Sequence, residues 1–514
     1  MQTSDELFLL IKSLSPSEKR HFKVFASKHV IGGDKNNYVK LFDAINKQND
    51  YSEIEIKGEF SKHSFIKRLP SEKNYLYKLI LKSLGSYYHD GTVDLFLKER
   101  LKQIQILYAK ALYKQSQKIL TRVKKIAYKH EKYLQVLEIL HWEHLIIRSE
   151  LNFEESGKII KQIFREMKQV LEIIKNLNEY KELSSEIFIE YRKTGVVRSK
   201  NDADRFEKII TAEILQDENK AISYEAKYYF YGIFTNYYFA KNDILNGYEI
   251  CKKHLKLIES GIEDHKENLH QYVIVFMGLL SSCLHLRKFD EFKTNLIKFR
   301  EIPDRFHEKS ERIHERIFTS GYLHESEMYI KQGSFDKGVE IIPQMTTGLE
   351  KYADKINSDS RMAMYYNIAY LYFGTDAYTK TSAFLNHIIN DTDIEFRRDI
   401  YCFARILNLV LHYELGNDDL LEYIVKSTYR FLYKRKRLYK FETSFLDFIR
   451  QKLPKVKSNK ELVGAFKELK IELEAIAKDP FEKKALEYFD FISWLESKIG
   501  NRPFAEIVKE KMSR

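Results

Sequence analysis

The chain has 514 residues, 44% hydrophobic and 31% charged, with 35 Tyr and 34 Phe but only 19 Gly and 7 Pro. That composition excludes disordered, collagenous and low-complexity classes and supplies ample material for a core. The net charge is +12, and the three cysteines, Cys251, Cys283 and Cys402, lack CxxC spacing, which argues against a disulfide framework or zinc knuckle and fits a reducing compartment.

The first residues carry no basic stretch leading into an apolar one, so no secretory leader is expected and the protein is expected in the cytoplasm. Residues 1–95 read as a small helical domain. Ser15-Pro16-Ser17-Glu18 sets an N-cap, a proline and an acid in the order of a helix start, and Ser52 with Glu55 repeats the cap-to-acid spacing. Gly32-Gly33-Asp34 marks a break. Leu69-Pro70-Ser71-Glu72-Lys73 opens a longer helix, and the short segments 52–60 and 64–68 before it leave two readings: a terminal cap with a polar outer face, or a helix-turn-helix module.

Between Pro70 and Pro303 no proline interrupts the chain, and no alternating strand pattern appears; successive helices with short turns leave such a record. Turns are expected at 111–116, 152–156, 200–206, 240–242, 287–291, 332–338, 373–376 and 415–418. They recur about every 38 to 48 residues, the length of a helical hairpin and its connection, which signals an α-solenoid. The most apolar stretch, 272–286, falls short of the roughly 20 residues a membrane span needs. It is expected to be a buried helix.

In several units an aromatic residue follows the turn by two positions, and here the chain resembles the tetratricopeptide repeat family. The resemblance is best over 329–342, where Gly333, Phe335 and Gly338 stand where that family places a turn glycine, an aromatic and a small packing residue. A weaker match over 366–385 rests on Asn367, Ala369, Tyr370, Gly374 and Ala383. The likeness covers about residues 100–440, with units longer than the family's roughly 34 residues, bulky residues such as Phe292 at small positions, and no signature Trp. It implies an all-α architecture of irregular stacked hairpins with a concave surface that holds other macromolecules, and it assigns no contact residue. The expected organisation is a helical domain over 1–95, about seven hairpins over 96–457 and a closing helical cap over 458–514. Ser458 or Asn459 would begin that cap, Asp479-Pro480-Phe481-Glu482 would start a further helix, and Gly500 would end one.

Charge is unevenly spread. Residues 101–130 hold eight Lys and Arg and no acid, and residues 426–460 hold twelve against Glu442 and Asp447, which leaves the remainder of the chain at −6. On a helix, Lys118, Arg122, Lys125 and Lys129 fall within an arc of about 60°, with Lys114 one turn earlier, while Ile119, Val123 and Ile126 form an expected core stripe about 90° away. The row is therefore expected to flank the buried face. Its like charges need a compensator, either acids of the next unit such as Glu150, Glu154 and Glu155, or a phosphate backbone or acidic partner.

In the second segment Lys426, Arg430, Lys434, Arg435, Lys436, Arg437 and Lys440 interleave with Tyr429, Phe431, Tyr433 and Tyr439. Cations and rings together are what single-stranded nucleic acid binders use. The same run also suits an acidic protein partner or a solvated face. Leu421, Ile424, Val425, Thr428, Phe431, Leu432 and Leu438 make a core stripe, so Phe431 is expected to be buried.

Catalytic motifs are missing: there is no GxxxxGK[ST], GxGxxG, GxSxG or HExxH. Glu138 with His141 and Glu311 with His314 match the Glu-x-x-His spacing of di-iron bundles, a chance match in a chain with 16 His. No enzyme, cofactor or metal site is expected. The expected role is a cytoplasmic scaffold or adaptor that binds a protein partner through a solenoid groove, with a nucleic-acid-associated regulator as the alternative. The candidate contacts are Lys114, Lys118, Arg122, Lys125 and Lys129, and Arg430, Tyr433, Lys434, Arg435, Lys436 and Arg437.

Overall fold

The computed structural model of the chain describes residues 3–29, 37–88, 92–149, 153–195, 197, 200–262, 268–308, 310–390, 398–434, 438–479 and 482–512. Among them every regular element is a helix. The expected break at Gly32-Gly33-Asp34, the helix start at Pro480-Phe481, and Arg435, Lys436 and Arg437 lie outside the described residues.

The chain divides into two units, Met1–Lys175 and Asn176–Arg514. In the first unit, Thr3–Ser13, Pro16–His29, Asn37–Lys47 and Leu69–Tyr87 close around Leu7, Ile11, Phe22, Phe42, Ile45 and Leu76. The helix start at Ser15 forms a reciprocal capping box: the Glu18 amide donates to Ser15 Oγ at 3.3 Å and the Ser15 amide to Glu18 Oε2 at 2.6 Å. At Ser52 only half of such a box forms. Its hydroxyl accepts from the Glu55 amide, but its own amide turns to Gln48 Oε1. A second core, from Leu97 to Val170, joins Val93–Ala109, Tyr113–Lys129, Tyr133–Ser149 and the start of Phe153–Thr194.

One turn is built again and again. A residue in the left-handed region ends a helix, and the amide after it reaches back to the carbonyl five residues earlier, so the orphan carbonyls of the helix end are satisfied. In seven of these turns the left-handed residue is Ala111, Glu131, Asn242, Arg287, Gly333, Asp376 or Gly416. Their closing bonds, from Leu112 N to Leu107 O through to Asn417 N to His412 O, measure 2.8 to 3.0 Å. Two residues on, the next helix begins, at Tyr113, Tyr133, Ile244, Phe289, Phe335, Tyr378 and Asp418. Phe335, one of the aromatic starts, is buried against the end of Ser358–Gly374, where a Cβ on Gly374 would lie 2.2 Å from its ring.

Two sequence expectations shift. Residues 200–206 are no turn; they lie in Lys200–Ile210, with Phe206 buried. The break comes earlier, at Gly195 in the left-handed region and at Val197, whose amide donates to Ala240 O at 2.8 Å. Phe153–Thr194 is one 42-residue helix, so one period of the pattern is a single long rod where a hairpin was expected.

In the second unit most helices pack on the next, and several on the next but one. Ser358–Gly374, for instance, touches Glu311–Lys331, Tyr378–Ile389 and Arg398–Glu414. Two second helices of hairpins are interrupted by proline: Phe289–Arg300 gives way to Ile302–Phe306 at Pro303, and Phe335–Glu340 to Ile342–Lys351 at Pro343. Gly338 in this region packs tightly on Leu371: a Cβ there would sit 2.2 Å from Leu371 Cδ2 and force that side chain to shift.

Ser458 caps Asn459–Ile476 as expected, and Phe491–Gly500 ends at a left-handed Asn501. Between them, a helix expected from Asp479 is reduced to a 3-10 turn, Lys483–Glu487. These last residues run along the hairpins. Tyr488 stacks on Phe403 with centroids 4.3 Å apart, the Asp490 amide donates to Tyr370 Oη at 3.0 Å, and Trp494 Nε1 donates to Glu414 Oε1 at 2.6 Å. Phe489 and Phe504 pack on Phe373 and Tyr370.

Candidate interaction surfaces

Helix Tyr113–Lys129 carries six cations and no acid. Taking about 100° per residue, Lys114, Lys125, Lys118, Lys129 and Arg122 follow one another round an arc of about 80°, and all five are exposed. The buried residues are Ser116, Leu120, Val123 and Ala127, whereas Ile119 and Ile126 are half-buried. The core stripe is therefore centred about 170° from the row. The row does not flank the buried face, as the apolar spacing had suggested; it stands opposite it. The reason is local: Ser116 Oγ donates to Ile104 O at 3.2 Å, and this draws a polar and an alanine position inward against the preceding helix.

The expected compensators Glu150, Glu154 and Glu155 have no described side chains. Two acids that approach this helix, Glu143 and Glu166, meet a different cation. Lys124, 21% exposed and about 120° round the axis from the row, donates to Glu143 Oε2 at 2.8 Å and Glu166 Oε2 at 2.9 Å. Burial favours its neutral amine, but the two carboxylates more than offset that and hold it above its ordinary pKa. Tyr128 donates to Glu166 at 2.5 Å, and burial with that carboxylate raises its pKa. Among the described residues Lys114, Lys118, Arg122 and Lys125 have no ion-pair or hydrogen-bond partner.

Helix Asp418–Lys434 belongs to the second unit and differs in kind. Leu421, Val425, Thr428 and Leu432 are buried. Opposite them, Tyr423, Lys426, Arg430, Tyr433 and Lys434 share an arc of about 100°, and both tyrosines are 70% exposed. Asp419 and Glu422 lie at the N-terminal end of this face, where Glu422 accepts from Lys426 Nζ at 2.5 Å. That lysine holds the Glu422 carboxyl below its ordinary value. Acids at the start of the helix and cations at its end both complement the helix dipole.

The rings singled out from the sequence separate. Tyr429 is half-buried beneath the Arg450 guanidinium, 5.0 Å from its centroid. Phe431, expected to be buried, is half-buried; it stacks on Tyr401 at 4.8 Å with Arg405 4.6 Å from its centroid. Tyr433 remains outward, joined by Tyr423, which precedes the basic run and so is not marked by interleaved basic residues. Its helical register with Arg430 and Lys434 is the signal that would have found it.

Three strongly perturbed groups, His254, Cys251 and Cys283, are core groups. Burial pushes the His254 imidazole down to about 3 and the Cys251 thiol up to about 11. Burial chiefly, with Glu291 nearby, takes Cys283 to about 12. Among the described residues no three metal-ligating side chains converge; Glu311 pairs with Lys355, and His314 lies 3.0 Å from Glu308 O. An open pocket of about 530 Å³ includes Lys440, Ser444, Asp447, Lys452 and Glu472. Glu472 there accepts from Ser444 at 2.7 Å and faces Lys452. Among the described residues no helix is long and apolar enough to cross a membrane. No protein-family model, curated protein or solved structure matches the chain.

Proposed function

We propose that this chain is a non-enzymatic scaffold, a tetratricopeptide-like solenoid of irregular helical hairpins, and that it holds a protein partner on the outward face of helix Asp418–Lys434. The recurring helix-ending turn and the packing of most helices on their sequence neighbours support the solenoid reading, since repeats that pack mainly on their neighbours leave long faces for partners. A groove along the first helices of the hairpins is the usual place for a peptide in such an architecture. Over Ser358–Gly374 and Arg398–Glu414, aromatic side chains of that kind already pack on the chain's own residues 488–504. The partner is therefore assigned to a face that the chain leaves open.

The single observation that carries this reading is the pair of outward tyrosines, Tyr423 and Tyr433, with Arg430 between them. Tyr and Arg are the residue types that anchor protein interfaces, because they bring large area and hydrogen bonding at low entropic cost. A photo-crosslinking residue in place of Tyr433 should label one protein in the native host, with or without nuclease. Tyr423→Ala with Tyr433→Ala should release that protein. Retention by the double variant, or loss on nuclease treatment, would overturn the assignment.

A further inference from the structure

We propose that the outward face of helix Tyr113–Lys129 binds the phosphate backbone of duplex nucleic acid, without reading its bases. The inference is independent of the protein partner assigned to Asp418–Lys434. Its basis is the arrangement of charge. Lys114, Lys118, Arg122, Lys125 and Lys129 are exposed on one side of a 17-residue helix whose opposite side is core. They form a row about 22 Å long with gaps of about 6 Å, or 4.5 Å between Arg122 and Lys125, from the 1.5 Å rise per residue.

Helix design does not account for the row. Consecutive members are like charges at i,i+4 or i,i+3, each pair unfavourable. Lys114 stands in the first turn, where the dipole disfavours a cation, and that turn holds no acid. Glu143 and Glu166 approach the helix on another side, at Lys124, and among the described residues Lys114, Lys118, Arg122 and Lys125 have no ion-pair partner.

The chemistry of the face selects the ligand. A protein interface needs apolar or aromatic anchors at its centre, and between the cations this face offers only exposed polar groups, Gln115 and Thr121. Single-strand binding relies on rings beneath bases, but Tyr113 and Tyr128 are half-buried, and Tyr128 is bound to Glu166. Insertion into a lipid surface needs the helix's apolar side, which here is the core. A duplex backbone needs cations alone, since neutralising phosphates releases condensed counterions.

The test uses the full chain and fluorescence anisotropy with two labelled DNA duplexes of unrelated sequence, about 24 base pairs each, from about 50 mM to 300 mM salt. The two duplexes should bind within about twofold of each other, with a log–log salt slope near −4. Lys118→Glu, Arg122→Glu and Lys125→Glu together should weaken binding at least about 100-fold at low salt and reduce the slope by about 3. The same residues changed to Gln, a milder variant whose circular dichroism should match the parent, should give the same direction. Lys426→Glu, Arg430→Glu and Lys434→Glu should leave both quantities unchanged. Absence of binding at about 50 mM salt, equal loss from the two helices, an unmoved slope, or row-dependent capture by anionic vesicles that duplex does not compete would each overturn the proposal.

Discussion

Helices Tyr113–Lys129 and Asp418–Lys434 come from the two segments that carry the chain's surplus positive charge, yet they present different chemistry. The first sets five cations on one face with no acid on the helix. The second mixes Lys426, Arg430 and Lys434 with Asp419, Glu422 and two outward tyrosines. A net charge counted along the sequence ranks them alike. What shares the exposed face with the charge separates them: a row of cations without rings suits a polyanion, whereas rings beside paired charges suit a folded partner with shape to match.

The contrast can be broken most directly at the tyrosines. Tyr423→Ala with Tyr433→Ala should lower affinity for the crosslinked protein partner about 100-fold, the scale of two interface anchors, and leave duplex affinity untouched; titration of both ligands against one variant decides it. Next in size is Lys124→Met, which removes the cation between Glu143 and Glu166 at a site only 21% exposed for that lysine. It should cost about 2 kcal/mol in urea denaturation while the salt slope for duplex stays as in the parent, because Lys124 is a structural cation and not a member of the row.

Smaller effects should differ in sign. Lys118→Gln, Arg122→Gln and Lys125→Gln relieve like-charge pairs and should raise Tm at low salt by the equivalent of a few tenths of a kcal/mol per pair, a gain that fades near 1 M salt. Lys426→Gln, Arg430→Gln and Lys434→Gln remove cations that complement the helix end and, in Lys426, a partner of Glu422, so Tm should fall slightly. The smallest effect is a pH dependence. Glu422 has a folded pKa below its ordinary 4.5 because Lys426 bonds it, so its contribution is present above 4.5 and is lost as pH falls through the lowered value. Glu422→Gln should therefore flatten the acid limb of a Tm-against-pH curve slightly, while no substitution in the row of the first helix should change that limb.

The fold was legible to different depths in different places. Caps at Ser15 and Ser458 and the turns at Asn242, Gly333 and Gly416 could be found from residue type, because glycine and asparagine tolerate the left-handed region and serine caps helices. The same turn at Ala111, Glu131, Arg287 and Asp376 carries no such mark. There the aromatic two residues later and the period between turns were the only guides, and the turn at Glu131 went unnoticed. Ser116 and Ala127 misled the reading of the first basic helix, since neither scores as strongly apolar, yet small residues are what close packing between neighbouring helices selects.

The sequence by itself determined that the chain is helical, that its turns recur, and that five cations share one side of one helix, because these follow from spacing along a single rod. Only the tertiary structure decided how each rod is rolled against its neighbours. That roll placed the cation row opposite the core, brought Glu143 and Glu166 to Lys124, covered Tyr429 and Phe431, and left Tyr423 and Tyr433 outward. Spacing fixes the angular order of side chains about a helix axis, whereas the direction each one faces depends on packing with residues tens of positions away.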